Sequence, residues 1–171
     1  MGKHPEAIEP TAYDRTFNLL YLKIGPAAKT GILGTKYEAD PRLVYNRGIY
    51  DIAADELRYF FAPGTERCIL HLIYETEYND KLRRMEFSES GTFLFNNYDL
   101  DPREQSDRLF VVAQPTKADA GELWVSNRRG EAPKLVRTFD LKMDWRIDVY
   151  NQKLLFVEVQ GAVAQVHAYD W

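Results

Sequence analysis

The chain of 171 residues lacks most of the features that stabilise small secreted domains or anchor membrane proteins. Cys68 is the only cysteine, so no intramolecular disulfide can form, and no Asn-x-Ser/Thr sequon is present. No apolar run approaches the ~20 residues that a membrane-spanning helix needs, and the first residues lack the apolar core of a signal peptide. We therefore expect a soluble, cytoplasmic protein that does not insert into membranes.

An excess of positive charge is also missing. The chain has 22 Lys and Arg against 26 Asp and Glu, a formal net charge of −4. Proteins that bind duplex nucleic acid need a basic face, and the pairs Arg83-Arg84 and Arg128-Arg129 are too short to make one. We predict no nucleic-acid partner.

The sequence contains none of the common catalytic or phosphate-binding motifs. There is no Gly-x-Ser-x-Gly, no His-Glu-x-x-His and no Gly-x-x-x-x-Gly-Lys-Ser/Thr. Cys68 and His71 lie three residues apart in an apolar run, and on a strand this spacing places them on opposite faces. We predict no cofactor and favour a non-enzymatic function.

Alternation of apolar and polar residues is the main signal that is present. It is clearest between Leu82 and Asn97, where Met85 and Phe87 alternate, a turn containing Gly91 follows, and aromatic residues alternate again. This pattern predicts a β-hairpin. Weaker versions elsewhere bring the total to about ten short strands, with no helix. The sequence therefore predicts an antiparallel all-β fold, in which residues 1–15 form an extended N-terminal arm and residues 16–171 form a single domain.

Three hairpins share one template, anchored at Asp51, Ser88 and Asp148, and the loop around residues 99–108 separates the last two. If that loop and its continuation are an insertion of ~20 residues, the period is near 40, which is typical of propeller blades. Met85–Leu94, Glu122–Glu131 and Asp144–Asp170 resemble strand pairs of YWTD-type and TolB-type β-propellers. The resemblance implies propeller-like blades. A single closed β-barrel or a β-sandwich is the alternative, because a closed propeller needs at least four blades.

Several residues are candidates for a binding site. Aromatic side chains could form a sugar-binding or peptide-binding face, although alternating neighbours favour core packing for Trp124. His71 could be a polar group of an interior pocket, or a histidine on a sheet face with one hydrogen bond. The candidate binding residues are Tyr98, Trp124, Tyr150, Trp171 and His71.

One loop carries the densest group of carboxylates, at Asp99, Asp101, Glu104 and Asp107. Acidic side chains at close spacing suit a hard cation such as Ca²⁺, which prefers several oxygen ligands. The EF-hand pattern is absent, because Pro102 and Arg103 occupy its middle. These four residues are therefore a candidate metal site, and a solvated loop is the alternative.

Two functions are compatible with these observations. The first is a non-enzymatic β-sheet module for binding or assembly, which engages a protein partner or forms a homo-oligomer through sheet edges that do not close. The alternative is a small-ligand-binding barrel or a hydrolase-like enzyme that uses an interior pocket with polar groups such as His71, Glu75 or Glu158.

Overall fold

Five consecutive side chains, Leu109 to Ala113, are completely or almost completely buried in one strand. Successive side chains of a strand point to opposite faces. Accordingly, Leu109, Val111 and Ala113 belong to one hydrophobic cluster, and Phe110 and Val112 belong to a second. A strand that is buried on both faces requires a layer of structure on either side of it.

The computed structural model describes residues 6–26, 29–30, 36–37, 44–64 and 67–171. These residues contain no helix and sixteen strands. In chain order the strands are β1 Glu6–Asp14, β2 Leu19–Pro26, β3 Lys29–Thr30, β4 Lys36–Tyr37, β5 Asn46–Asp51, β6 Glu56–Tyr59, β7 Arg67–Ile73, β8 Glu75–Asn79, β9 Arg84–Phe87, β10 Leu94–Phe95, β11 Leu109–Pro115, β12 Ala120–Ser126, β13 Lys134–Asp140, β14 Asp144–Asp148, β15 Lys153–Gln160 and β16 Val163–Asp170.

Three of the sheets have four strands each. The N-terminal sheet has the order β1-β2-β5-β6, the central sheet β13-β12-β11-β7, and the C-terminal sheet β10-β14-β15-β16. The strand pairs β3–β4 and β8–β9 form two smaller sheets. Neighbouring strands are antiparallel except β10 and β14, which pair in parallel over two residues. The predicted antiparallel all-β class is confirmed, and none of the described sheets closes into a barrel.

The central sheet lies between the other two. On one side, Tyr21 and Ile49 of the N-terminal sheet share a hydrophobic cluster with Val111 of β11. On the other side, Phe110 of β11 shares a cluster with Phe156 of the C-terminal sheet. Burial of large apolar side chains stabilises by roughly 1.5–3 kcal/mol each, so both interfaces contribute substantially to the folded state.

Four hairpins use the same turn, which we call the Asx turn. In each, an Asp or Asn ends a strand, and its Oδ1 accepts backbone N–H bonds at 3.0–3.2 Å from residues two or three positions later. The residue four positions later has a positive φ of 49–56°, and the next strand then begins. Asp and Asn make such turns without glycine because their side chains replace the missing backbone partner. The residue pairs are Asp14 and Asn18, Asp51 and Asp55, Asn79 and Arg83, and Asp148 and Gln152.

The predicted hairpin between Leu82 and Asn97 is wrong. β9 pairs with β8, which precedes it, and β10 pairs with β14. The hydroxyl of Ser88 donates to the carbonyl oxygen of Leu72 at 2.9 Å, and the Asn97 side chain hydrogen-bonds both the N–H and the C=O of Met85. The free edge of β9 is thus occupied by an amide side chain, and no second hairpin arm can pair there.

Most of the predicted N-terminal arm is part of a sheet. Residues 1–5 lie outside the described residues, whereas Glu6–Asp14 form β1 and pair with β2. Pro10 is tolerated there because β1 is an edge strand, and the register shifts between Pro10 and Ala12.

The interface between the N-terminal and central sheets contains a fully buried arginine. Arg128 follows β12, and its side chain is 0% exposed. Its Nη2 forms an ion pair with Asp14, its Nη1 donates to the carbonyl oxygen of Glu75 at 2.7 Å, and its Nε donates to the hydroxyl of Tyr21 at 3.3 Å. The guanidinium group also lies over the Tyr74 ring, 4.4 Å from the centroid. Burial raises the pKa of the Tyr21 hydroxyl well above its ordinary value, so the hydroxyl stays protonated and donates to the carbonyl oxygen of Arg128 at 3.2 Å.

A second buried charge lies nearby. The carboxylate of Glu75 is 0% exposed and is bound by Arg103, whose Nη1 donates to Oε2 at 2.7 Å. The backbone N–H of Ser106 donates to the same oxygen at 2.7 Å. These bonds fix the long loop before β11 against β8.

We predict that Arg128→Met destabilises the protein by roughly 3–5 kcal/mol, because the buried carboxylate of Asp14 loses its partner. Arg128→Lys should also be destabilising, since an ammonium group cannot reproduce the fork of donors. Urea unfolding measures both. Arg129→Met is the matched control: its ion pair with Asp51 is partly exposed, and its loss should cost about 1 kcal/mol or less. Equal losses at positions 128 and 129 would contradict the prediction.

The shared turn predicts that Asp51→Asn is milder than Asp51→Ala. Asparagine preserves the turn, as Asn79 does, whereas alanine loses two backbone hydrogen bonds, so Asp51→Ala should have the lower urea midpoint of the two. The hydrogen bond from Arg129 lowers the pKa of Asp51 below its ordinary value. Stability from this ion pair is therefore present above the ordinary pKa and lost as pH falls through the lowered one. The difference in urea midpoint between wild type and Asp51→Asn should begin to shrink below about pH 4 and keep shrinking as pH falls further; a constant difference would contradict this.

Candidate functional site

Exposed strand edges offer unpaired backbone groups to other chains, and most edges of the three large sheets are protected. β1 carries Pro10 and a register shift, β6 has four residues, and β10 has two. β13 carries Lys134 and Arg137, charges that discourage edge-to-edge pairing. In β7, the N–H of Ile69 already donates to the carbonyl oxygen of Val44 at 2.7 Å.

β16 is different. It has eight residues, contains no Pro, Lys or Arg, and pairs with β15 without any register shift. The β15–β16 connection is the two-residue turn at Gly161-Ala162, in which Gly161 has φ +62°, as a type II′ turn requires at its first central position. β16 is therefore a long edge strand without the proline, lysine or bulge that usually protects such edges in native sheets.

The register identifies which backbone groups of β16 are free. Gln160 and Val163 flank the two-residue turn and form a hydrogen-bonded pair, so hydrogen-bonded and non-hydrogen-bonded pairs alternate from there. The N–H of Trp171 donates to the carbonyl oxygen of Gln152 at 3.2 Å. This agrees with the alternation, which makes Gln152 and Trp171 a hydrogen-bonded pair. The unpaired, outward-facing groups therefore belong to Ala164, Val166, Ala168 and Asp170.

The same hairpin presents an apolar surface to solvent. Paired residues share a face, and the face turned away from the central sheet carries only aliphatic side chains along most of β15 and β16. Val159 is 67% exposed and Val166 is 58% exposed. We name this surface the C-terminal outer face; it comprises Leu155, Val157, Val159, Ala164, Val166 and Ala168.

The inner face of the hairpin is tied to the central sheet by charge. Glu158 Oε2 lies 3.1 Å from His167 Nε2 and 3.5 Å from Arg137 Nη2. Hydrogen bonds from His167 and Gln160 lower the pKa of Glu158. The Arg137 guanidinium also lies 5.3 Å from the centroid of the Phe156 ring. These contacts hold the inner face of the hairpin against the central sheet and leave the backbone edge of β16 unpaired.

A cleft of about 860 Å³ runs beside the C-terminal half of β16 and is bounded on its other side by β12 and β13. Trp171 packs edge-on against Phe110 with ring centroids 5.1 Å apart. Its Nε1 is buried and has no hydrogen-bond partner among the described residues. The lining comprises Arg108, Val125, Ser126, Asn127, Ala132, Lys134, Val136, Ala168, Tyr169, Asp170 and Trp171.

The structure separates most of the predicted binding residues. Trp124 is half-buried in the central sheet, where its Nε1 donates to Glu122 at 3.0 Å, and His71 bonds Glu89 at 3.1 Å. Tyr98 and Tyr150 are each 68% exposed. They lie on neighbouring loops that are joined by a bond from Asn96 Nδ2 to Asp148 Oδ1. Trp171 alone lies in the cleft beside β16.

The polar groups suggested for an interior pocket do not converge. Glu75 is bound by Arg103 under the long loop, whereas Glu158 is bound by His167 on the C-terminal hairpin.

The carboxylates of the predicted metal site are not gathered around one point. Arg83 lies 2.6 Å from Asp99 and 3.7 Å from Asp101, and Asp107 instead accepts a bond from the backbone N–H of Arg128 at 2.9 Å. Glu104 is exposed. Within the described ranges, no group of three or more His, Cys, Asp or Glu side chains is arranged to hold a metal ion.

No helix capable of crossing a membrane occurs in the described part of the chain. No family model, curated protein or solved structure matches the sequence or the fold. The resemblance to YWTD-type and TolB-type repeats stays a prediction.

The free edge predicts an alternating pattern of amide hydrogen exchange along β16. Amides of Ala164, Val166 and Ala168 should exchange fast, because they lack a partner in the sheet, while those of Gln165 and His167 should be protected by β15. Site-resolved exchange by NMR measures this. Met85 is an internal control, since its N–H on the edge of β9 is bonded to Asn97 and should be protected. Uniform protection along β16 would show that its edge is covered.

Proposed function

We propose that the protein is a non-enzymatic β-sheet module that binds an extended segment of a partner protein by strand addition to β16. The observation that carries this proposal is the unprotected edge of β16, with outward backbone groups on alternate residues from Ala164 to Asp170. In strand addition, main-chain hydrogen bonds supply affinity and alternate side-chain positions supply specificity.

The surroundings of the edge support an apolar, alternating segment as the ligand. An added strand would present half of its side chains beside Val166 on the C-terminal outer face and the other half towards the cleft lined by Val136 and Tyr169. The buried indole N–H of Trp171 adds a donor without a partner in the described residues. Each net hydrogen bond contributes about 0.5–1.5 kcal/mol, so several bonds are needed for specific binding.

We also propose a propeller-like architecture for the three large sheets. Each has four strands, and neighbouring sheets pack through their faces around shared hydrophobic clusters. Four-stranded sheets arranged radially are the units of propellers. The recurrence of the Asx turn in the N-terminal and C-terminal sheets, at Asp51 and Asp148, supports a repeated unit.

Strand addition predicts that Val166→Pro weakens the binding of an extended peptide. Proline at 166 removes an outward N–H without breaking a bond to β15, so the hairpin should persist. The probe is a blocked ten-residue peptide with four Thr-Val repeats between terminal lysines, and NMR shift changes map where it binds. Affinity should fall at least about tenfold, which corresponds to about 1.4 kcal/mol.

Val166→Thr is the matched control for this test. Threonine keeps the backbone N–H and the β-branched shape, so peptide affinity should stay within about threefold of wild type, or roughly 0.7 kcal/mol. Unchanged binding to Val166→Pro, or shift changes confined to residues remote from β16, would refute strand addition at this edge.

A further inference from the structure

The outer face of the N-terminal sheet is also apolar and open. It is the face opposite to Tyr21 and Ile49, which point into the first hydrophobic cluster. The positions of this N-terminal outer face are Tyr13, Leu20, Leu22, Tyr50, Leu57 and Tyr59. A Cβ on Gly48 would contact Leu22 and Leu57 at 3.2–3.4 Å, which confirms that these side chains share one face.

We infer that a second copy of the chain packs its C-terminal outer face on this N-terminal outer face, in a head-to-tail manner. Within one chain, the central sheet already packs one face on the N-terminal sheet and the other on the C-terminal sheet. Repeating the same order beyond the C-terminal sheet brings an N-terminal sheet next. The contact would therefore continue a packing mode that the chain uses twice.

The side chains of the two faces are complementary in size. The N-terminal outer face has three tyrosines, of which Tyr13 is 56% and Tyr59 is 38% exposed. The C-terminal outer face has alanine and valine, with Val159 67% exposed. Cores pack well when large residues meet small ones across an interface. Packing two N-terminal outer faces together would crowd their tyrosines, and packing two C-terminal outer faces together would leave voids between their small side chains.

The dimensions allow an interface of modest size. The C-terminal outer face limits the contact, because two strands at a spacing of ~4.8 Å, with about six residues each at ~3.3 Å per residue, give a strip of about 10 by 20 Å. Two copies that close head to tail form this contact twice, so the four contributing faces bury about 800 Å², and side-chain relief brings the total towards the roughly 1,000 Å² of a biological interface. The positions that define both faces are uncharged, and the charged residues beside them on β14, Asp144 and Arg146, form an ion pair with each other.

The number of copies follows from the requirement that the sheets close into a ring. A ring of face-packed four-stranded sheets needs at least four sheets, and the described residues of one chain supply three. Two copies place six sheets in one ring, within the range of about four to eight for propellers. This step rests on the propeller-like architecture proposed above and is independent of strand addition at β16.

Two substitutions on exposed positions test the inference. Leu57→Arg disrupts only the N-terminal outer face, and Val159→Arg disrupts only the C-terminal one. Leu82→Arg is the matched control, because Leu82 is 55% exposed in the β8–β9 turn, away from both faces. Circular dichroism and thermal melts establish that each variant is folded, and sedimentation velocity over a hundredfold range of concentration measures mass.

Wild type and Leu82→Arg should sediment at twice the mass of one chain, and each face variant alone as a monomer. An equimolar mixture of Leu57→Arg and Val159→Arg should form a 1:1 pair, because each supplies the face that the other lacks. A monomeric wild type, a dimeric Leu57→Arg variant, or a mixture that stays monomeric would overturn the inference. Because Val166 lies on the C-terminal outer face, the peptide test is repeated in the monomeric Leu57→Arg background, where strand addition can succeed or fail without the dimer.

Discussion

The buried guanidinium of Arg128 is the interaction on which the joining of the N-terminal and central sheets depends. Its partners come from β2, from the end of β1 and from the start of β8, so they meet only when these elements are in their final positions. A buried charge that loses a partner costs several kcal/mol, whereas a correctly paired one is near neutral. The interaction therefore penalises shifted arrangements of the two sheets more than it stabilises the correct one. Apolar contacts, which are tolerant of small shifts, could not provide this discrimination.

Local sequence patterns predicted the class of the fold but not the partners of the strands. Alternation in segments such as Trp145 to Val149 indicates strands because it depends only on neighbouring residues. Pairing depends on distant residues: β7 pairs with β11, and the segment around Phe87 pairs backwards with β8. The error at Leu82–Asn97 arose because a glycine-bearing stretch resembles a turn, while the side chains of Ser88 and Asn97 had already satisfied the backbone. The Asx turns could have been found, since each places Asp or Asn directly after an alternating run.

Sequence patterns did not identify β16 as the candidate site, for a related reason. Aromatic residues and acidic loops stand out in a sequence, so Tyr98 and Asp101 were considered, whereas an edge strand is defined by the absence of a neighbour. The signal that could have pointed to β16 is compositional, because residues 163–170 have a strand pattern without lysine, arginine or proline. Whether such a strand is central or at an edge depends on the sheet order, which only the folded chain reveals.

The wide sequence separation of the Arg128 contacts has a consequence for synthesis in the cell. Tyr21 and Arg128 are 107 residues apart, and β11, which covers the same interface, also comes late in the chain. At about 5–20 residues per second, the ribosome needs roughly 5–20 s to supply these partners after β2 is made. During that interval the buried face of the N-terminal sheet lacks β11, and Asp14 lacks its partner Arg128. We therefore expect the nascent chain to expose apolar strands that chaperones can bind until β11 is made.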